Sequence, residues 1–321
     1  MKVADLDLRP ATIDDAAAVA DIDTELFPDD PEDPKLERHW WTVVDPSEVT
    51  ERMIALRGGA IVGYTFRRHA AWEKMPERFG RIGAELHPSV RSPERVDALY
   101  AHLEDVSRAD GTKKVTSWAW EDDAFLTGVL TARGFREERR ERFWELDLVE
   151  GRERITKMAA ESHARMDAEG IRILTLADDA DPNKFEKLKE MSDQAEADVP
   201  TTVPHVTLEM DQFMKWFASP ALRPDRIWIA RDGDDVVGIS MLAYPPVRGF
   251  VATDWTGMAR KARGRGIARA LKCETLMQAI GLGVDRVRTD NDSTNAPILH
   301  INESMGYKRR HDMVQYLKAL A

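Results

Sequence analysis

Six basic residues, Arg260, Lys261, Arg263, Arg265, Arg269 and Lys272, follow one another without an intervening acid, and Gly264 and Gly266 punctuate the run. Glycine tolerates positive φ and leaves no Cβ between an anion and the backbone amides. Downstream, Ile267, Ala270, Leu271, Met277 and Ile280 recur at helical spacing, so a helix is expected over residues 267–282. First-turn amides of a helix lack intrahelical acceptors, and the helix dipole adds positive potential at the same end. A glycine loop entering such a helix is a cradle for a phosphorylated ligand. The plain alternative is an exposed arginine loop that merely begins a helix. No Gly-Lys-Ser/Thr ending follows, nor a third glycine with a downstream ribose-binding acid, which argues against nucleoside triphosphates and dinucleotides.

A strand over about 249–258 must deliver the chain to this loop, and alternation along it puts Ala252, Asp254, Thr256 and Met258 on one face. Around it the second half reads as strand, two helices, three strands, helix, strand, helix and two closing strands. The first half repeats the opening of that order. Leu6–Arg9 matches the alternating Ile171–Leu176, Asp14-Asp15 matches Asp178-Asp179, and the turn at Arg57-Gly58-Gly59-Ala60 matches the one at Arg231–Asp235. Seventy-one residues separate Gly63 from Gly134-Phe135, and 68 separate Gly238 from Gly306-Tyr307, so the chain reads as a duplication. Boundaries are expected at 1–149 and 171–321, with a charged, alanine-rich connecting helix over 150–170 that stops at Gly170. Each half is expected to be an α/β (α+β) domain.

Composition narrows the function. With 321 residues, 43% of them hydrophobic, the chain can fill two ordinary cores. A net charge of −11 argues against a general nucleic-acid binder and makes the basic run a local exception suited to an anionic small molecule. One cysteine, Cys273, excludes an intrachain disulfide and a cysteine zinc cluster; it falls beside the apolar stripe, as a small core residue or a reactive thiol. The N-terminal residues lack a signal-like apolar core and no apolar run approaches membrane-spanning length, so a cytoplasmic protein without membrane or metal partners is expected, as monomer or homodimer. Nine tryptophans are many for this length. Trp40, Trp41, Trp118, Trp120 and Trp255 are candidates for a pocket wall, although most should be core.

The residues Arg263-Gly264-Arg265-Gly266-Ile267-Ala268 resemble the Arg/Gln-x-x-Gly-x-Gly/Ala signature of the GNAT superfamily of acyl-CoA-dependent N-acyltransferases, and a frame led by Lys261 nearly matches too. Residues 295–307, led by Asn295 and closed by Gly306-Tyr307, resemble the family's Asn-led helix and terminal Leu-Gly-Phe. The resemblance covers the second half and, more faintly, the first, as in tandem GNAT proteins. It implies two GNAT-like domains, each a mixed, mostly antiparallel sheet flanked by helices, with acetyl-CoA as co-substrate and no metal. Cofactor contacts are implied at Thr256, Gly257, Met258, Arg263, Gly264, Arg265, Gly266, Ile267, Ala268 and Asn295, the last alternatively a helix N-cap. A backbone amide near Gly257-Met258 would stabilise the oxyanion. Asp254, the only acid on its strand, is the family-like candidate base, against a structural role. Asn302 stands where the family commonly has a tyrosine acid; it could hydrogen-bond a departing thiolate, and His300, two residues away, points elsewhere.

In the first half, Val90–Val96 occupies the matching loop position without any glycine, with Pro93 lacking an amide and Glu94 adding a carboxylate. A degenerate N-terminal domain is expected. Glu196 and Asp198, in the region bordering the family's acceptor cleft, are candidates to attract a cationic amine, or belong to an ordinary solvated loop. The implied activity is acetyl transfer to the primary amine of a small molecule in the C-terminal domain. A non-catalytic acyl-CoA-binding or sensing protein and a protein N-acetyltransferase are the alternatives.

Overall fold

Glycines with positive φ at Gly58, Gly59 and Gly233 close the two tight hairpins seen in the sequence, and helix caps and alternating strands fix the rest. The computed structural model describes residues 1–43 and 47–320. Its first half runs β1 (Lys2–Val3), β2 (Leu6–Pro10), α1 (Ala16–Leu26), α2 (Pro34–Thr42), β3 (Glu48–Arg57), β4 (Ala60–Ala70), β5 (Phe79–Leu86), α3 (Pro93–Ala109), β6 (Lys114–Trp120), α4 (Ala124–Ala132) and β7 (Arg136–Asp147). Asp147 caps α5 (Leu148–Ala168) by accepting from the amides of Val149 and Glu150. The second half continues with β8 (Ile171–Thr175), α6 (Lys184–Glu196), α7 (Met210–Phe217), β9 (Ile227–Asp232), β10 (Asp235–Ala243), β11 (Val251–Met258), α8 (Ile267–Gly281), β12 (Arg286–Asp292), α9 (Ala296–Met305), β13 (Lys308–Arg309) and β14 (Met313–Ala319).

All strands belong to one sheet, ordered β1-β2-β3-β4-β5-β6-β14-β7-β12-β11-β10-β9-β8, with β13 paired to β7 off that path. Pairing is antiparallel except between β5 and β6 and between β11 and β12. Among the described residues two apolar clusters are centred on the second half, one around Ile229, Ile239 and Leu271 and one around Leu146, Ile155 and Leu276, and the first half has its own around Leu86, Leu99 and Leu130.

One feature differs from the expected order. The last strand, β14, leaves the second half and inserts between β6 and β7, where Val314 and Tyr316 join the first half's core. In return β7 serves both sheets. Its residues Arg136–Glu141 pair with β14, and its residues Glu141–Asp147 pair with β12, while β13 holds its other edge at Trp144 and Glu145. The exchange therefore crosses the boundaries at 149 and 171. Alternation in a strand specifies which side chains are buried, not which edge they are buried against, so the sequence pattern carries no trace of it. A second tie lies across the halves, where Asp33 caps α2 and also accepts from the amides of Val247 and Arg248 at 2.6 and 3.0 Å.

Burying Val314 and Tyr316 stabilises by roughly 1.5–3 kcal/mol each, apart from the ladder bonds of β14. Calorimetry is expected to give a single cooperative unfolding transition, not two. Residues 171–321 produced alone should be insoluble, yet soluble when co-produced with 1–170. Two resolved transitions would contradict this coupling.

Candidate active site

The basic loop folds as a turn between β11 and α8, with Gly264 and Gly266 at φ 77° and 83°. Gly266 is the N-cap of α8, and the amides of Gly264 to Arg269 donate to no protein acceptor among the described residues. Six amides are thus gathered at the positive end of one helix. A Cβ on Gly266 would come within 3.1 Å of the Arg165 guanidinium, which reaches over from α5. The basic side chains are less free than the sequence suggests. Arg260 and Arg263 both bind Asp198, Lys261 binds Asp235, and Arg265 bridges Asp232 and Glu169. The acids come from other elements, which is why an acid-free run looked unpaired. Asp198 is accordingly an anchor for the loop, and the two arginines hold its carboxyl far below the ordinary range. Arg269 and Lys272 are the members left facing the cleft.

Beside the loop, β11 and β12 separate. Their parallel pairing covers only Val251 with Val287 and Ala252 with Arg288. Beyond that point, residues 253–258 and 289–292 line a cleft of about 970 Å³ that reaches Gly264, Gly266, Ile267 and Ala268 at one end. The register against β10 slips here: Met241 faces Trp255 and Leu242 faces Thr253, leaving Asp254 as the extra residue of a β-bulge. That bulge overrides the simple alternation expected along the strand. Ala259 donates to Val237; since alternate residues of a strand share an edge, Gly257 also faces β10, and the amides of Thr256 and Met258 turn toward the cleft. Thr256 is tied to Ser240 by a 2.9 Å hydroxyl contact. Gly257 has no room for a side chain, because a Cβ would lie 2.7 Å from the Trp255 indole nitrogen.

Asp254 accepts a 2.8 Å hydrogen bond from the Trp216 indole of α7. Burial pushes its carboxyl up to about 6, against that hydrogen bond. The sequence reading missed two neighbours in the same cleft, Asp290 and Glu141, and read a third, Lys272, only as part of the basic run. Asp290 faces the cleft from β12 and is pushed to about 6 by the surrounding protein and then by the charge of Asp254. Glu141, from β7, is pushed to about 7 by burial and next by Asp290. Lys272 is only 2% exposed, has Thr253 Oγ1 at 3.4 Å, and is pushed down to about 8 by burial. Glu141 could not be found from the sequence because it arrives through the exchanged strand.

Asn295 lines the cleft at the start of α9, and its side chain makes no capping hydrogen bond. Asn302 is fully buried and donates to Asn291 Oδ1 at 2.6 Å. Asn291 lines the cleft and Asn302 does not, and the Asn302 Oδ1 is buried without a partner. His300 does line the cleft, on an exposed position. Cys273 is buried between α8 and α5 with its thiol pushed up to about 11, the behaviour of a core residue. Trp118 and Trp255 line an adjoining chamber of about 530 Å³, whereas Trp40 is partly exposed at 37% and Trp41 donates to Glu37. Glu196, also in that chamber, lies 3.3 Å from His205.

The first half has the same split and a different lining. Parallel pairing of β5 with β6 ends at Arg81 and Thr116, and the opening beyond holds about 240 Å³. Asp23, Glu32 and Glu85 line it, the last two pushed to about 7 by burial. At α3, Ser92 caps the amide of Arg95, whose guanidinium is taken by Asp5 and the Val90 carbonyl, while Arg91 binds Asp123.

Asp254, Asp290 and Glu141 hold protons in the folded state that they would release in the unfolded chain between about pH 4 and 7. Their contribution to stability is full below their unfolded values and is lost as pH rises through 6 to 7. The thermal midpoint should therefore be higher at pH 5.5 than at pH 8, with a smaller difference in Asp254→Asn/Asp290→Asn. A midpoint that falls on acidification over this range would contradict the assignment.

Residues 189–307 match the Acetyltransferase (GNAT) family. No curated protein matches the chain in sequence. Among solved structures, a tandem GNAT protein from the clavulanic acid biosynthesis pathway superposes with a TM-score of 0.72 at 14% identity, over 98% of this chain and 99% of its own. A GCN5-related N-acetyltransferase from Sphaerobacter thermophilus gives 0.67 at 17% identity, over 100% and 97%. Identities this low speak for the fold alone. Residues 189–307 thus carry the match to the acetyltransferase family, and over its full length the chain has the fold of tandem GNAT proteins.

Proposed function

We propose that the C-terminal half transfers an acetyl group from acetyl-CoA to the primary amine of a small molecule. The observation that carries this reading is the conjunction of six unpaired amides at the start of α8 with a split sheet whose floor holds a raised carboxyl, Asp254. The amides of Gly264–Arg269 suit a pyrophosphate, and the open edges of β11 and α9, including Asn295, suit the pantetheine arm. When bound, the thioester supplies the acyl carbon.

An amine of ordinary pKa, about 10, is mostly protonated at neutral pH and must lose a proton to attack. Asp254, with a pKa near 6, is ionised at pH 7 and basic enough to accept it. As nitrogen bonds to the acyl carbon, the charge on its oxygen is met by a cleft-facing amide, of which Met258 is the candidate. The C–S bond then breaks. Lys272, an ammonium of pKa near 8 at the base of the cleft, is suited to protonate the departing thiolate, which the amide of buried Asn302 cannot do. The first half is read as a structural domain without a cofactor, since buried carboxyls line its split and its α3 terminus is capped from within.

Thiol release from acetyl-CoA across a panel of small primary amines tests the reaction. Asp254→Asn is expected to lower kcat by about 10²-fold. Activity of the unaltered protein should fall as pH drops through about 6, where Asp254 takes up its proton. Near-normal turnover by the Asn variant would remove Asp254 as base, and no release from any amine would favour a binding or sensing protein.

Calorimetric titration with acetyl-CoA should give one site per chain. Gly266→Val forces a β-branched residue to φ 83° and crowds Arg165. It should weaken binding roughly tenfold or more, the equivalent of about 1.4 kcal/mol of strain. Two equivalent sites, or unchanged affinity in a folded Gly266→Val protein, would defeat the two statements respectively.

A further inference from the structure

The 530 Å³ chamber beside the cleft has a floor whose charges are not balanced. Register places Arg68 of β4 directly opposite Arg81 of β5, and Arg81 opposite Thr116 of β6. Farther along, Trp118 faces Gln315 and Gln315 faces Arg139. Like charges directly across a strand pair repel. Arg139 is ion-paired with Glu141 at 3.0 Å and Asp292 at 3.1 Å, although its Nε makes no hydrogen bond. Arg68 and Arg81 are different. Among the described residues neither guanidinium has a hydrogen bond or an ion pair, although Arg81 lies over the Phe66 ring. Arg81 Nε and Gln315 Oε1 are both buried without a partner. Burial and then the charge of Arg68 push Arg81 down to about 10. The carboxylates that line the chamber, Glu48 and Glu196, bind neither arginine, and Glu196 is held at His205. Arg81, partly buried, and Arg68, exposed beside it, have no anion within hydrogen-bond reach, only Glu141 acting on Arg81 at longer range, and the pair on a protein of net charge −11 suits an anionic ligand.

Arg139, Val199 and Trp255 line both chamber and cleft, so the two are continuous, and Trp255 adjoins Asp254. We propose that the chamber binds the anionic group, a carboxylate or a phosphate, of an amine acceptor whose amino group reaches Asp254. Arg81 and Arg68 grip that group, which relieves their mutual repulsion. The inference rests on the acyl-transfer reading for the fate of the amine, and on the arginine pair for the anion.

The test is equilibrium binding to the full chain in the presence of coenzyme A, read by tryptophan fluorescence, since Trp118 and Trp255 line the chamber. The probes are amino carboxylates and aminoalkyl phosphates, each matched with its neutral amide or alcohol. At least one charged probe is expected to bind about tenfold or more tightly than its neutral match. The preferred series tells carboxylate from phosphate. Arg81→Gln should abolish the preference while leaving coenzyme A affinity unchanged; exposed Arg68→Gln, which carries little risk to folding, should reduce it. No binding by any charged probe, equal binding within every pair, or a preference intact in both variants overturns the proposal. Charged probes that bind selectively yet release no thiol from acetyl-CoA would leave the anion site standing and remove the acyl-transfer reading. Thiol release from charged and neutral amines with equal KM would do the reverse.

Discussion

The backbone ladder along β7 is the constraint on which the rest of the molecule depends. One strand of twelve residues satisfies the open edge of β14 with its first part and that of β12 with its last. Neither sheet is complete without it, because every unpaired edge would leave backbone amides and carbonyls without partners in a partly buried interface. With β7 in place, β12 is held along its whole length on one side and only at Val287 and Arg288 on the other, so it can diverge from β11 beyond them. The cleft exists because that divergence is anchored from outside. The same strand carries Glu141 into the cleft and Arg139 to the boundary of the neighbouring chamber, so the duplicated halves share wall residues as well as hydrogen bonds.

Two identical-looking splits have been given opposite electrostatic characters. In the second half, helix amides converge on one end of a cleft of about 970 Å³, and Asp254 and Asp290, pushed up to about 6, are mostly ionised at neutral pH. In the first, Asp23, Glu32 and Glu85 crowd a smaller opening, and Tyr64 donates to Asp23. A pyrophosphate would meet fixed dipoles in the one and buried carboxyls in the other. Geometry alone would not separate the two halves, whereas the lining does.

Much of this was legible in the sequence where the signal is local. Gly264 and Gly266 read as positive-φ loop residues because no other residue type adopts that backbone readily, and the apolar stripe from Ile267 fixed the helix that follows. The absence of glycine from Val90–Val96 was equally readable. What stayed hidden depends on partners distant in the chain. Asp198, Asp232, Asp235 and Glu169 neutralise a run that looked wholly basic. The bulge at Asp254 arises from a register mismatch between two strands, and neither strand alone encodes it. Asn302 sits where a longer side chain was expected to reach the cleft, and its burial follows from its contact with Asn291, again a matter of tertiary packing.

The placement of β14 also bears on how the chain is made. Residues 313–319 leave the ribosome after both helical layers and every other strand, yet they belong in the middle of the first half's sheet, between β6 and β7. At ordinary elongation rates of about 5–20 residues per second, the first half waits roughly ten seconds or more with those edges unmatched. The native sheet of the N-terminal half therefore cannot be completed ahead of the C-terminal half, because the strand between β6 and β7 is made after it.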